Sequence, residues 1–127
     1  MSPTAQPFNW TEYLRLAAEL SEHPDEASNR TSISRAYYFV FHAATIQAQK
    51  HGYAGETHKK LWALYQADSD RNCRRLSTLG NNMKAARKEA DYSAIMPDIP
   101  ARMAQQLADA NEFTSILATV PGSSPKP

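Results

Sequence analysis

A chain of 127 residues suits one domain with one core, able to bury roughly two-thirds of its unfolded surface. Its single cysteine, Cys73, excludes an internal disulfide, and its formal net charge of +1 excludes a broad electrostatic grip on nucleic acid while leaving room for a local patch. No CxxC or Cys/His zinc spacing, Gly-rich phosphate loop, paired carboxylates at metal spacing or Ser/His/Asp order occurs, and the histidines at 23, 42, 51 and 58 form no i,i+4 pair, so no metal and no organic cofactor is indicated.

Residues 1–7 hold two prolines and small polar residues and read as a disordered lead without signal-peptide character. The longest apolar stretch, Ala36 to Phe41, falls far short of the roughly twenty residues of a membrane span. These observations give a cytoplasmic protein with no membrane segment as the expectation.

The first helix is predicted to start near Asn9, a good N-cap, with Glu12 completing a capping-box pattern. Tyr13, Leu16, Ala17 and Leu20 follow at helical spacing, and Pro24 ends the element. The second helix runs from about Asp25 to His51, with Gly52 as its stop. The third follows a turn around Gly55, opens near Thr57 and buries Leu61, Leu64 and Tyr65. The fourth starts near Ser69 and carries Leu76, Leu79, Met83, Ala86 and Ala90. Pro97 and Pro100 flank the fifth start, with Asp98 as cap, and Met103, Leu107, Ala110, Phe113, Leu117 and Val120 follow. The end, residues 121–127, is Pro-Gly-Ser-Ser-Pro-Lys-Pro and reads as a disordered tail. No window alternates as a half-buried strand does. The expectation is all-α: an up-and-down bundle of four to five helices over residues 8–120.

The second helix is the informative one. At 100° per residue, Ala36, Tyr37, Val40 and Ala44 fall within about 60° of Ile33 and form a core stripe. The opposite side holds Tyr38, Phe39 and Ile46, with Arg35 and His42 between them. A helix apolar on both sides is usually buried on both. A homodimer interface along this helix is the favoured reading; a central place in a five-helix bundle is the alternative. Arg35 and His42 are seven positions apart and project within about 20° of one another. Among aromatics, both need partners or a task. From spacing alone, a carboxylate for Arg35 and a backbone carbonyl for His42 would suffice.

The run Ser34-Arg35-Ala36-Tyr37-Tyr38-Phe39-Val40-Phe41-His42-Ala43-Ala44 resembles helix two of small HEPN proteins. Three flanking pieces agree with it: Glu26 to Arg30, the pair Thr57-His58, and Lys84 to Tyr92 with its Ala-Asp-Tyr end. The resemblance spans about residues 8 to 120. It implies a HEPN-like bundle in which an arginine and a histidine separated by four to six residues form a composite site at a homodimer interface. Arg35 and His42, with six residues between them, match the upper limit.

That resemblance implies metal-independent RNA cleavage through the 2′-hydroxyl. His42 would be general base or acid and Arg35 would hold the scissile phosphate. It also implies a toxin of a toxin–antitoxin or defence module, restrained by an antitoxin of nucleotidyltransferase fold. Two positions depart from the pattern. Ala36 stands where active members often carry a polar residue after the arginine. Ala44 stands where modifiable members often carry a tyrosine. A HEPN domain that binds a nucleotide or partner without cutting, and a helical scaffold with no ligand, are the alternatives.

Secondary candidates are Tyr38 and Ser34 as substrate contacts, and His58, beside Lys59 and Lys60 at a helix N-terminus, as a phosphate contact. Core packing suits Tyr37 better than stacking on a base, and for Ser34 a bond to its own helix is the plainer reading. Arg71, Arg74 and Arg75, and Lys84, Arg87 and Lys88, are two basic clusters that could guide RNA or simply be solvated. Arg87 and Asp91 are spaced for a helical ion pair. Asp91 and Tyr92 could brace the second helix.

Overall fold

The computed structural model describes residues 6–127, so most of the 1–7 lead lies outside the described residues. Five helices follow in order: α1 Thr11–Ser21, α2 Glu26–Gln49, α3 His58–Ala67, α4 Arg71–Tyr92 and α5 Ile99–Leu117. They form an all-helical bundle, with no strand among the described residues. No helix is long and apolar enough to cross a membrane among the described residues.

The helix starts follow local chemistry. Asp25 accepts from Ser28 N to cap α2, Thr57 accepts from Lys60 N to cap α3, and Asp70 accepts from Asn72 N and Cys73 N to cap α4. At α1 the expected capping box does not form. Asn9 Oδ1 accepts from Thr11 N, Trp10 holds the cap position, and Glu12 pairs with Arg15 instead. Asp98 does precede α5, but in the left-handed region at φ 56° and without a side-chain cap bond. Gly52 ends the α2 region at φ 89°, where only glycine is unstrained.

Helix α2 is central and packs against all four others. This corrects the outward placement of Phe39 and agrees with the alternative of a central helix. Phe39, assigned from the helical wheel to the outward side, is 5% exposed in the main core with Val40, Leu61, Trp62, Leu76 and Phe113. Of that second apolar side, Phe39 is therefore covered within one protomer, while Tyr38 and Ile46 are not fully covered. What stays half-buried or exposed is a narrower stripe of Arg35, Tyr38, Phe41, His42, Thr45 and Ile46, the last 47% exposed.

Buried polar bonds fix the helices in register. Ser32 Oγ donates to Ala17 O, joining α2 to α1; Tyr65 Oη donates to Ala44 O, joining α3 to α2. Gln106 Nε2 donates to Ile33 O and Met83 O, tying α5 to α2 and α4. Arg30, in α2, donates to Ala90 O and Ser93 O and so satisfies the open carbonyls at the end of α4. Trp62, which periodicity did not single out, is 1% exposed and lies over Gly80.

The tail is a second correction. Ser124 and Pro125 are buried, Gln47 Nε2 donates to Ser124 O, and Lys126 N donates to Asp68 Oδ2. Its prolines lower the entropy lost on ordering, and two hydrogen bonds to side chains on the bundle offset the rest.

Candidate functional site

The half-exposed stripe of α2 builds the site around Tyr38. The Arg35 guanidinium carbon lies 4.8 Å from the centroid of the Tyr13 ring and 5.1 Å from that of Tyr38. Two aromatic rings thus lie against the guanidinium, and no hydrogen bond from it to another residue is found among the described residues. His42 lies between the same aromatics, 6.4 Å from Tyr13 and 6.5 Å from Tyr38 between ring centroids. Trp10 covers one face of the imidazole, with centroids 3.4 Å apart and planes within 6°. Arg35 and His42 therefore share one aromatic surround, as their spacing predicts.

Neither of the plain partners suggested by spacing is present: among the described residues Arg35 meets aromatic rings and no carboxylate within ion-pair reach, and the His42 ring stacks on Trp10 with no hydrogen bond to a carbonyl. Burial, and then the Arg35 charge, hold His42 below the ordinary histidine value. The ring is consequently neutral at neutral pH and able to accept a proton.

Tyr38 also lies against a second group. The Arg87 guanidinium carbon lies 5.3 Å from the Tyr38 centroid and 5.6 Å from that of Tyr37. His58 stacks on Phe41 at 4.0 Å and on Tyr37 at 5.5 Å, and meets Tyr38 edge-on at 6.0 Å. Ser34 Oγ donates to Asp91 Oδ2 at 3.2 Å rather than to its own helix, and Asp91 Oδ2 lies 3.7 Å from Arg87. Of the candidates, Arg35, His42, Tyr38, His58 and Arg87 thus share one aromatic surface, with Ser34 and Asp91 anchoring its edge. Tyr92 is not part of it: the ring is 79% exposed and braces nothing.

The two basic clusters do not form one surface. Arg74 donates to Asp68 O and Ser69 O, and Arg75 pairs with Glu112 of α5. From Arg74 to Arg87 the helix rises about 20 Å. Cys73 is buried, its thiol pushed up to about 12 by burial and then by Asp68 and Asp70, which makes it a poor nucleophile. No group of three or more His, Cys, Asp or Glu side chains is placed to hold a metal ion among the described residues.

Sequence reasoning missed Trp10, the role of Tyr13 beneath Arg35, and the bond between Tyr37 and His58. The Phe8-Asn9-Trp10 start was the available signal for the first. The other two depend on contacts between helices that periodicity does not carry. Comparison of the chain with protein-family models, with curated proteins and with solved structures finds no match.

Proposed function

We propose that the chain is a metal-independent endoribonuclease of the HEPN type, with Arg35 and His42 as its reacting pair. The observation that carries this reading is the shared aromatic setting of the two groups, half-exposed and without an ionic or carbonyl partner among the described residues. A guanidinium with no hydrogen bond to another residue suits a phosphodiester. A neutral imidazole suits removal of the 2′-hydroxyl proton.

In the reaction the 2′-oxygen forms a bond to the adjacent phosphorus as the bond to the 5′-oxygen breaks. His42 accepts the 2′-hydroxyl proton. A proton from solvent reaches the departing 5′-oxygen as its bond to phosphorus breaks. Arg35 offsets the negative charge that builds on the phosphoryl oxygens. The stripe from Arg35 to Ile46 is the surface across which two copies would meet, in the isologous manner of a two-fold dimer. DNA lacks the attacking hydroxyl and would not be cut. A toxin role with a nucleotidyltransferase-fold antitoxin belongs to the same reading and rests on the resemblance of residues 34–44 alone.

The second reading is a HEPN module that dimerises or holds a nucleotide without cutting it. The Trp10 ring on the face of His42, together with Ala36 after the arginine, favours it. Purified protein incubated with RNA in EDTA separates the two. The nuclease reading expects cleavage that His42→Ala and Arg35→Ala remove while the oligomeric state is kept. If those substitutions alter only the oligomeric state and no RNA is cut, the binding module stands.

A further inference from the structure

Arg87 sits in a position that packing does not explain. It is 7% exposed, yet its Nε has no hydrogen-bond partner among the described residues. Asp91 approaches at 3.7 Å, too long for a hydrogen bond, and its same oxygen already accepts from Ser34. A buried guanidinium whose Nε–H is unsatisfied is costly unless something else completes it.

His58 beside it is held in one protonation pattern. Trp62 Nε1, which can only donate, donates to Tyr37 Oη at 3.1 Å, and Tyr37 Oη lies 2.5 Å from His58 Nδ1. Tyr37 is fully buried, so its one hydroxyl proton has His58 Nδ1 as its acceptor. His58 Nδ1 is therefore unprotonated and the ring proton sits on Nε2, which meets no partner among the described residues. The ring is neutral and offers a fixed N–H donor at the half-exposed surface.

We infer that Arg87 and the Nε2–H of His58 form an anion subsite for a phosphate group, one phosphodiester away from that held at Arg35. The inference deepens the nuclease reading and rests on it only for the source of the phosphate. Positive charge is crowded here. Lys84 is held below the ordinary lysine range, by burial first and then by Lys88, Arg87 and Lys59. Lys59 and Lys84 also line a groove of about 260 Å³ between α3 and α4, with Trp62, Gln66, Ser77 and Asn81. The Arg35 and Arg87 guanidinium carbons lie 5.1 and 5.3 Å from the centroid of the same Tyr38 ring, which places both phosphate-holding groups against a single phenol.

The test is nitrogen-15 NMR of the full chain, titrated first with inorganic phosphate in chloride buffer and then with a 2′-O-methyl oligoribonucleotide, which cannot be cut. The Arg87 Nε–H and His58 Nε2 signals should shift saturably with both. Arg87→Gln and His58→Asn should each weaken phosphate binding roughly tenfold, the loss expected for one charge-assisted hydrogen bond; Arg87→Lys should fall between. Shifts confined to Lys59, Lys84 and Lys88, or absent from Arg87 and His58 in the wild-type chain, overturn the subsite even if the variants do not fold. Saturation by the oligonucleotide alone, with inorganic phosphate inert, overturns it as a phosphate site. Phosphate binding at Arg87 without any RNA cleavage keeps the subsite and removes the nuclease reading. Cleavage dependent on Arg35 and His42, with Arg87 and His58 silent, does the reverse.

Discussion

Trp10 lies flat on His42, ring centroids 3.4 Å apart and planes within 6°. The stack removes one face of the imidazole from water, and burial is the first cause of the low proton affinity of His42, ahead of the Arg35 charge. Trp10→Ala should move the His42 pKa up toward the ordinary histidine value, and Arg35→Ala should move it up by less. Proton NMR titration of the His42 ring in each variant checks the order. An unchanged value in Trp10→Ala would show that the indole is not the source of the burial.

The same burial makes stability depend on pH. His42 and His58 are both held below the ordinary value near about 6.5. For His42 the causes are burial and then Arg35. For His58 they are burial, then Arg87, Lys84, His42 and Lys88. The unfolded chain therefore binds protons more readily than the folded one between the depressed folded values and about 6.5. The contribution of both rings is complete above that window and is lost as pH falls through it. Thermal melts should show a lower Tm at pH 5.5 than at pH 7.5, with a shallower dependence in His58→Asn. A Tm that rises on acidification over this range would contradict the assignment.

Tyr37→Phe should separate packing from proton placement. The substitution keeps the ring but strands Trp62 Nε1, 1% exposed, without its acceptor. A loss of about 1–3 kcal/mol is expected from one buried unpaired donor. His58 would also lose the hydroxyl that fixes its tautomer, so its two ring nitrogens should become more alike in nitrogen-15 shift. Urea unfolding and the same NMR spectra report both effects. Full stability with an unchanged His58 spectrum would show that the Trp62–Tyr37–His58 chain of bonds is not formed.

Gly80 is required by Trp62. A Cβ at that position would lie 2.6 Å from three carbons of the indole, whose ring is enclosed between α3 and α4. Gly80→Ala should therefore destabilise the chain by about 1–3 kcal/mol despite alanine's better helix propensity. A urea midpoint equal to or above that of the wild type would mean that the ring moves aside freely.

The helices were legible because apolar spacing is a local property; their caps were less so, since Trp10 holds the position read for Asn9, Asp98 makes no side-chain cap bond, and Asp70 caps α4 without having been singled out. The role of α2 was only half legible. A helical wheel sets Phe39 opposite Ile33, but it cannot say how many neighbours surround a helix, and here four do. Arg35 and His42 could be paired from spacing because both lie on one helix. Arg87 and His58 come from α4 and α3, so their meeting at Tyr38 depends on bundle geometry that no local pattern encodes. The tail misled for the opposite reason: a composition that forms no helix or strand still lies down when Gln47 and Asp68 offer it partners.

The chemistry assigned to Arg35 and His42 is tested most directly by the ends left on a single RNA incubated in EDTA with the wild-type chain and with His42→Ala. Wild type should leave a 2′,3′-cyclic phosphate and a free 5′-hydroxyl, leave the all-deoxy counterpart intact, and lose activity by a factor on the order of 10² or more in His42→Ala. Cleavage of the deoxy strand, 5′-phosphate ends, or equal rates in His42→Ala would contradict it.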